Sequence, residues 1–317
     1  MSDLLTTLKF VAHAIDKQSP VSYGEHLSIR NGHVSATNGW FAIDAPINFG
    51  IDCSPVADKF ISAITNIDEG AKFTILPSNK LKISSGKMKV HVQCADFIAP
   101  TTAFFGERID IDGEKWKSTI TKLVPTIATK GAKPWAQSIL YRDGCLYSTN
   151  NYVMFECAIG VALPEFNIPS RVALAISKIK EVPHQISINT QRVVLHYPNG
   201  GKLTFSVLDY TWPNVSGLLA CERYDVLPDD FFPSLAKMNK FTDEFATIYV
   251  KDGVVSTSDV EDDGISFVVD GLTGVAKFMY DNLRLLPEFV THINFKSYPK
   301  PSHFKGDGVR GLIAGLV

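Results

Sequence analysis

The stretch "SILYRDGCLYSTNNYVMFECAI", residues 138–159, has the pattern of a β-hairpin, with Asp143-Gly144 as the turn between two apolar-alternating runs. Nearly the same phrase occurs twice more: residues 26–47 read "HLSIRNGHVSATNGWFAIDAPI", and residues 246–268 read "ATIYVKDGVVSTSDVEDDGISFV". Each phrase has a basic residue, then Asn or Asp, then Gly, with a hydroxyl residue five positions after that Gly. The turn glycines, Gly32, Gly144 and Gly253, are 112 and 109 residues apart, so we interpret the chain as one unit repeated three times.

Each repeat is predicted to contain two helices in addition to two β-meanders. Near the start of the first copy, Leu4, Leu8 and Val11 recur at the spacing of one helix face. The same spacing occurs at 116–127, where Pro125 should shorten the helix, and at 231–238 behind the candidate cap Asp229-Asp230. Second helices are predicted over residues 54–67, 170–182 and 273–286. The predicted fold class is therefore α+β, with three tandem two-helix, two-meander domains over residues 1–105, 106–219 and 220–317.

The composition is that of an ordinary globular protein, with 45% apolar and 20% charged residues. No apolar run reaches the ~18 residues of a membrane span, and the first residues lack the basic start of a secretory signal, so we expect no membrane association. The five scattered cysteines form no CxxC pair, which is typical of reduced thiols in a cytoplasmic protein. The net charge of −2 excludes a strongly basic DNA-wrapping protein, so contact with nucleic acid would need basic residues sorted onto one face.

Motifs that would indicate catalysis or a cofactor do not fit their surroundings. The acidic residues of 259–270 have the spacing of a calcium loop, but strand patterns rather than helices flank them. The GxGxxG match at 306–311 is followed by only six residues, which leaves no room for the helix of a dinucleotide site. The histidines show no metal-ligand spacing. We therefore expect no catalytic residues, no metal and no cofactor, and a protein that is not an enzyme.

The distribution of basic residues indicates a surface for nucleic acid. Tandem domains that join with a constant rotation form an arc, which closes into a ring when the rotation permits. Acidic residues concentrate in hairpin tips such as 258–264, whereas many basic residues fall on the predicted helices, opposite their apolar stripes. If the helices line the arc, its inner wall is positive. The candidate DNA-facing residues are Lys9, Lys115, Lys117, Lys122, Arg171, Lys178, Lys237, Lys240, Lys277 and Arg284.

In its domain count, repeat order and strand-turn phrasing, the chain resembles the bacterial-type DNA polymerase sliding clamp, the DNA polymerase III beta subunit family. The resemblance covers the whole chain. It implies a ring of six such domains, closed by a homodimer, around duplex DNA that is held without sequence reading. The implied partners are duplex DNA, a DNA polymerase, other proteins with clamp-binding motifs, and a clamp loader. The implied function is that of a processivity factor that tethers the polymerase at the primer end.

The resemblance also implies a cleft between the second and third domains that binds short apolar peptides. The family usually has Asp-Gly-His-Arg-Leu at the turn after the second hairpin, where this chain has residues 150–154, Asn-Asn-Tyr-Val-Met. The chain is compact compared with bacterial members, which is typical of a phage-encoded version. The candidate cleft residues are Thr149, Tyr152, Val153 and Met154 from that turn, and Leu312, Ile313 and Leu316 from the C-terminal strand.

Three other interpretations remain open. The same repeated domain could build an oligomeric structural or interaction protein that does not encircle DNA. A monomeric processivity factor could hold DNA by charge without closing a ring. An enzyme could use a cleft that no sequence motif marks. The mass of the assembly and the effect of reversing the helix charges would separate these interpretations.

Overall fold

A computed structural model describes residues 2–68, 70–96, 106–128, 132–215, 217–242, 246–260 and 263–316. Within these ranges the chain forms six α-helices and 22 strands, which confirms the predicted α+β class. The helices are α1 (Ser2–Val11), α2 (Ala57–Thr65), α3 (Gly113–Leu123), α4 (Ser170–Lys178), α5 (Phe231–Met238) and α6 (Tyr280–Leu283). Short 3₁₀ turns occur at Ala12–Ala14, Val124–Thr126, Pro134–Gln137 and Phe295–Ser297.

The strands fall into four sheets, and all of their pairings are antiparallel. In the first half of the chain they are β1 (Ser28–Arg30), β2 (His33–Thr37), β3 (Phe41–Pro46), β4 (Lys72–Leu76), β5 (Lys80–Ser85), β6 (Met88–Gln93), β7 (Arg108–Asp110), β8 (Ser138–Arg142), β9 (Cys145–Thr149), β10 (Val153–Ala158) and β11 (Phe166–Pro169). In the second half they are β12 (Gln185–Ile188), β13 (Arg192–His196), β14 (Lys202–Ser206), β15 (Asp225–Val226), β16 (Thr247–Lys251), β17 (Val254–Ser256), β18 (Ser266–Val268), β19 (Val275–Met279), β20 (His292–Ile293), β21 (Ser302–Gly306) and β22 (Val309–Ile313).

The chain divides into two compact units. The first comprises Met1–Thr121 with Arg171–Leu208, and the second comprises Lys122–Ser170 with Asp209–Val317. Each unit therefore contains part of the second predicted copy. The predicted boundary after residue 105 falls on residues 97–105, which lie outside the described residues. The three-domain division of the chain stays a prediction.

In the first unit, a seven-stranded sheet has the order β1-β2-β3-β14-β13-β12-β7, and β4-β5-β6 form a separate three-stranded sheet. The larger sheet joins two repeats, because β3 of the first copy pairs with β14, the last strand of the second copy. Asp44 lies opposite Lys202 in this pairing. The helix face predicted in α1 is confirmed, since Leu8 and Val11 are fully buried.

In the second unit, the order is β11-β8-β9-β10-β22-β21-β20-β15 in an eight-stranded sheet and β18-β17-β16-β19 in a four-stranded sheet. The larger sheet again joins two repeats, because β10 of the second copy pairs with β22, the last strand of the third. Glu156 lies opposite Arg310 here, as Asp44 lies opposite Lys202 in the first unit. The same junction between successive copies therefore occurs once in each unit.

The turn glycines have the backbone conformation that the sequence predicted. Asn31 and Gly32 have φ values of 50° and 73°, and Asp143 and Gly144 have φ values of 49° and 76°. Positive φ at both central residues is the requirement of a type I′ hairpin turn, which Asn-Gly and Asp-Gly satisfy best. Because the turn sets the register, each hairpin presents one alternating set of side chains to the core.

One prediction about the third copy is wrong. Residues 273–286 do not form one helix: Val275–Met279 form β19, and only Tyr280–Leu283 are helical. Residues 275–279 alternate between exposed or half-buried and buried side chains, the period-2 pattern of a strand, and they pair with β16 along its length. Asp230 stands at the N-cap position of α5 as predicted, but its side chain makes no capping hydrogen bond.

Candidate binding surfaces

Strands β10 and β22 bring the two predicted halves of the peptide cleft together in the second unit. Met154 pairs with Leu312, and Val153 pairs with Ile313. Because side chains alternate along a strand, the two pairs point to opposite faces of the sheet. Val153 and Ile313 are both fully buried, so they support the sheet from its interior. Met154 and Leu312 lie on the other face, where Leu312 is half-buried and Met154 is buried.

A group of apolar side chains that was not predicted from the sequence covers this second face. We call it the tryptophan cluster. Its centre is Trp212, whose ring lies 4.9 Å from the ring of Trp135 and whose Nε1 donates to Asn167 Oδ1 at 2.9 Å. Met154 and Leu312 belong to this cluster, so the candidate cleft residues lie at its edge. The buried members are Leu140, Tyr147, Met154, Trp212, Val215 and Leu219, and Trp135, Cys145 and Leu312 pack against them.

One signal in the sequence could have predicted this cover. Strand β8 is buried from Ser138 to Tyr141, and β9 is buried from Leu146 to Thr149. Consecutive apolar residues in a strand indicate that both faces of the sheet are covered. The helices account for one face only. A second covering segment was therefore needed, and the tryptophan at position 212 is its anchor.

The turn between β9 and β10 is held by its own side chains and exposes Tyr152. Thr149 Oγ1 donates to the Val153 carbonyl at 2.7 Å and accepts from the Asn151 amide at 3.0 Å. Asn150 Oδ1 accepts from the amides of Tyr152 and Val153 at 2.9 and 2.7 Å. Asn151 takes a φ of 76° to close the turn. The Tyr152 side chain, 52% exposed, is thus displayed on a rigid support rather than buried as strand core.

The C-terminal segment is anchored beside this turn. The Ala314 amide donates to the Tyr152 carbonyl at 2.7 Å. Tyr298 Oη donates to the Leu316 carbonyl at 2.6 Å, and the Leu316 amide donates to the Lys277 carbonyl at 2.7 Å. Leu316 is half-buried. The turn and the tail predicted from the sequence are therefore neighbours in the second unit.

An ion pair stands next to the tryptophan cluster on the same sheet face. Arg310 donates through Nε and an Nη to both carboxylate oxygens of Glu156, at 2.6 and 3.0 Å. The Glu156 side chain is 11% exposed and that of Arg310 is 46% exposed. Burial, then the charge of Glu156, raises the pKa of Tyr147, which lies opposite Glu156 on β9. The pair clamps β22 to β10 two residues from Met154 and Leu312.

Nine of the ten predicted DNA-facing residues lie on a helix or just after one. Eight belong to α1, α3, α4 and α5 or follow α5 closely, and the ninth, Arg284, directly follows α6. Five of these nine also have identified partners, among them Lys237, whose Nζ lies 5.7 Å from the ring centroid of Phe267. Lys117 Nζ donates to the Lys180 carbonyl at 2.8 Å, and Arg171 lies 3.3 Å from Asp16 and over the Trp40 ring. Lys122 lies 3.8 Å from Glu288, and Arg284 lies 2.9 Å from Asp281. The exposed lysines of the set are Lys9, Lys115, Lys122, Lys178, Lys237 and Lys240.

The tenth residue, Lys277, is placed differently from its prediction. It lies on β19 rather than on a helix, with its Nζ 5.3 Å from the ring centroid of Tyr249, its cross-strand neighbour. Its neighbours Ala276 and Phe278 point to the opposite face and are buried. Phe278 meets Phe295, which also contacts Phe231 of α5. Lys277 is therefore on the sheet face away from α5, and the helix prediction misplaced it.

In the first unit, α1 and α4 bring basic residues close together. His13, in the turn that follows α1, is near Lys178 and Glu181. Burial lowers the pKa of His13, Glu181 opposes this shift, and Lys178 adds to it. His13 is therefore neutral at pH 7, and the charge of this helical surface comes from lysines such as Lys9 and Lys178.

Within the described ranges, no group of three or more His, Cys, Asp or Glu side chains is arranged to hold a metal ion. Two residues of the acidic segment 259–270, 261 and 262, lie outside those ranges. No helix in the described part of the chain is long and apolar enough to cross a membrane.

Several solved structures with the same fold are bacterial clamps. The chain is similar to a DNA polymerase sliding clamp from Bacillus subtilis, with 14% identity, a TM-score of 0.82, and coverage of 100% of this chain and 97% of that one. It is similar to a putative DNA polymerase III beta subunit from Eubacterium rectale, with 16% identity, a TM-score of 0.81, and coverage of 99% and 97%. It is also similar to a Helicobacter pylori beta clamp bound to a DNA ligase peptide, with 13% identity, a TM-score of 0.77, and coverage of 100% and 98%.

No protein-family model matches the sequence, and a search of curated proteins finds no match. Because the identities to the solved clamps are low, the likeness establishes the fold of this chain and not its function. This confirms the fold that the sequence resemblance implied, over the whole length of the chain.

Proposed function

We propose that this protein is a sliding clamp: a processivity factor that closes around duplex DNA as a homodimer and tethers a DNA polymerase through a short apolar peptide. The observation that carries the proposal is the full-length match to bacterial sliding clamps. On this reading the protein is a non-enzymatic, cytoplasmic ring. Its task is enclosure, so neither a catalytic group nor sequence-specific base contacts are needed.

Ring closure needs a second copy of the chain, and the strand edges favour a particular contact. In both units, the third strand of one copy's hairpin meander pairs with the last strand of the next copy, as β3 does with β14 and β10 with β22. The corresponding strands without such a junction are β18 of the third copy and β6 of the first copy. Among the described strands, each is an edge strand of its sheet. Two chains related by a two-fold axis would pair β18 of each with β6 of the other, and both edges would be covered.

The internal junctions also predict the register of this contact. The turn glycines define equivalent positions in the three copies. In each copy, one residue of the third hairpin strand lies opposite the position three residues after the turn glycine. These equivalent residues are Asp44, Glu156 and Ser266. Their partners in the internal junctions, Lys202 and Arg310, are the first basic residues of β14 and β22. The equivalent of these two in β6 is Lys89. Ser266 of one chain should therefore lie opposite Lys89 of the other, which aligns Val268 with Lys87.

Exposure of an apolar residue at this edge supports the contact and provides its test. Val268 on β18 is 77% exposed, and an exposed apolar edge strand invites pairing. Val268→Lys should leave the fold intact and set the introduced lysine against Lys87 of the other chain, weakening dimerisation about tenfold or more. Val275→Lys is the matched control, since Val275 is 52% exposed on the opposite edge of the same sheet.

Light scattering over a concentration series measures both variants. A dimeric wild type, a dimeric Val275→Lys and a largely monomeric Val268→Lys would support the ring. A wild type that is monomeric at every concentration would instead favour a processivity factor that holds DNA without closing. A Val268→Lys variant as dimeric as the control would refute this strand pairing.

DNA is proposed to contact the helical side of the sheets through exposed lysines. Each lysine that lies near a phosphate adds to a sequence-independent attraction that salt weakens. Lys115→Glu with Lys178→Glu should abolish clamp-dependent primer extension by the cognate polymerase while the assembly stays unchanged. Lys72→Glu with Lys80→Glu is the control, because it makes the same change of net charge on the separate three-stranded sheet. Equal extension by both double variants would favour an interaction protein that does not encircle DNA.

The partner peptide is proposed to bind at the edge of the tryptophan cluster. Tyr152 and Leu312 would contact it, Met154 would support them from within the tryptophan cluster, Thr149 would shape the turn, and Leu316 would border it. Val153 and Ile313 would support these residues from the buried side of the sheet. The Helicobacter pylori clamp bound to a DNA ligase peptide supports a peptide site on this fold.

A labelled peptide that carries Leu and Phe side chains tests the site by fluorescence anisotropy. Tyr152→Ala should weaken binding about tenfold, because large aromatic contacts dominate such interfaces. Val226→Ala serves as the control, since Val226 is also exposed on the same sheet, at its far edge. Equal losses in both variants, or none, would place the peptide elsewhere.

A further inference from the structure

A small basic cavity lies in the first unit, on the sheet face opposite the helices. Its volume is about 200 Å³, and its lining comes from the start of β7, the residue before β12, the end of β13 and the start of β14, four neighbouring strands of the seven-stranded sheet. The lining side chains that carry chemistry are Arg108, His184, His196 and Lys202, and the turn at Pro198 and Gly200 closes one side. On the other face of the same strands, Ile186, Leu195 and Leu203 are buried in the core. The cavity is thus separate from every surface assigned above.

The strand register explains why these residues meet. His196 and Lys202 are direct partners at the end of the β13-β14 hairpin. Arg108 lies opposite Ser187, whose Oγ is 3.0 Å from His196 Nε2. The His184 amide donates to the His196 carbonyl at 2.9 Å. The register of β7, β12, β13 and β14 therefore brings four basic side chains to one region of the sheet.

The cavity has an excess of positive charge. His196 is only 7% exposed, and burial, then the charges of Arg108, Lys202 and His184, lower its pKa to about 4. None of the lining residues is acidic. The nearest carboxylates along the strands have partners of their own: Asp44 Oδ1 is 3.0 Å from His33 Nδ1, and Asp110 Oδ1 accepts from Gln185 Nε2 at 2.8 Å.

We propose that this cavity binds a carboxylate, supplied by an Asp or Glu side chain of a partner protein. Arg108 offers a planar pair of N–H donors and Lys202 offers a charged ammonium, the two groups that carboxylates bind most strongly. Ser187 Oγ, 3.0 Å from His196 Nε2, orients the imidazole beside these two groups. A volume of about 200 Å³ is below that of typical small-molecule pockets, and it suits a single side-chain head group.

The position of the cavity favours a protein over DNA as the source of the anion. The proposed DNA-facing Lys9 lies on α1, whose Phe10 packs against Tyr197 and Gly201, the residues that flank His196 and Lys202 and alternate with them to the opposite face of the sheet. The identity of the partner rests on the proposed function, whereas binding of a carboxylate in the cavity does not depend on that function.

Histidine-selective NMR of the full-length protein at pH 7 tests the proposal. The probes are the capped tripeptides Gly-Asp-Gly and Gly-Asn-Gly, inorganic phosphate, and a short DNA duplex, at constant ionic strength. The Asp tripeptide should give saturable shifts of the His196 ring signals, with millimolar affinity, and the Asn tripeptide should give none. Arg108→Gln with Lys202→Gln should weaken binding at least about tenfold.

Arg192→Gln is the matched control, because Arg192 is on the same strand and face as His196, four residues away, but does not line the cavity. It should bind the Asp tripeptide as the wild type does. Absence of a saturable shift, equal shifts in the double variant, or stronger binding of phosphate or the duplex than of the Asp tripeptide would each overturn the proposal. Dimer mass and primer extension are measured on the same samples, so failure of the carboxylate site is distinguishable from failure of the clamp function.

Discussion

Replacing Arg310 by Met should destabilise the second unit by removing one half of the clamp between β10 and β22. Arg310 makes two charge-assisted hydrogen bonds to Glu156, at 2.6 and 3.0 Å, and the bonded carboxylate is the largest cause of the raised pKa of Arg310. The Met side chain preserves the stem of Arg310 but leaves the Glu156 carboxylate, 11% exposed, without its cation. The fold then contains a nearly buried charge that is no longer compensated.

The size of the loss follows from burial. Removing one partner of a fully buried ion pair costs about 3–5 kcal/mol. Arg310 is 46% exposed, so water reaches the vacated space and screens the remaining charge, and we expect a loss of about 2 kcal/mol. Glu156→Leu with Arg310→Met removes both charges together. That double variant should recover most of the loss, because a pair of apolar residues in place of a buried ion pair is often neutral.

The assay is urea unfolding of the wild type, both single variants and the double variant, followed by tryptophan fluorescence, since Trp135 and Trp212 report on this unit. The double-mutant cycle should give a coupling of at least about 1 kcal/mol. A loss below about 0.5 kcal/mol in Arg310→Met, or a double variant whose loss equals the sum of the single losses, would contradict the reasoning. It would mean that the pair is a surface contact and that strand pairing alone sets the junction.

Three further predictions concern single buried sites. His196→Gln should remove an acid-dependent loss of stability. The pKa of His196 is about 4 in the folded protein against an ordinary 6.5, so the unfolded chain binds more protons between those two pH values. The free energy of unfolding of the wild type should therefore fall by about 1–2 kcal/mol from pH 7 to pH 5, and that of the variant should fall less. Urea titrations at the two pH values measure this, and parallel losses would contradict it. Gly311→Ala should cost about 3 kcal/mol or prevent folding, because an added Cβ would collide with the Met154 carbonyl and the Phe304 ring. Gly50→Ala is the control and should fold normally, because the space around Gly50 is open. Thermal unfolding compares the two variants. Trp212→Ala should cost about 3–5 kcal/mol through the cavity it leaves in the tryptophan cluster, and a loss below about 1 kcal/mol would show that the cluster adds little to stability.

Local patterns in the sequence predicted the local elements well. The Asn-Gly and Asp-Gly dipeptides predicted the hairpin turns because only those residues accept positive φ at low cost, and the turns then fixed each hairpin's register. The spacing of Trp116, Ile120 and Leu123 predicted the buried face of α3, and Pro125 predicted its end near Leu123. The third-copy helix failed because residues 275–279 are apolar enough to suit either period, and pairing with β16 decided between them.

The candidate binding surface was predicted only in part. Residues 149–154 and 312–316 were placed in one site by resemblance, and they are neighbours in the structure. The resemblance did not distinguish Met154, which packs in the tryptophan cluster, from Val153, which is buried on the opposite face. That distinction depends on which sheet face the covering segment occupies. Trp212 was missed for the same reason, since its partners Trp135 and Asn167 are distant in the sequence.

The sequence by itself determined the repeat, its turns, its helical faces and the α+β class, because each of these depends on residues within a few positions of one another. The tertiary structure alone decided that sheets join successive copies, that Asp44 faces Lys202 as Glu156 faces Arg310, and that four basic side chains surround one cavity. Those arrangements depend on long-range strand register. Register arises when distant apolar faces are buried together, and no local spacing of residues encodes it.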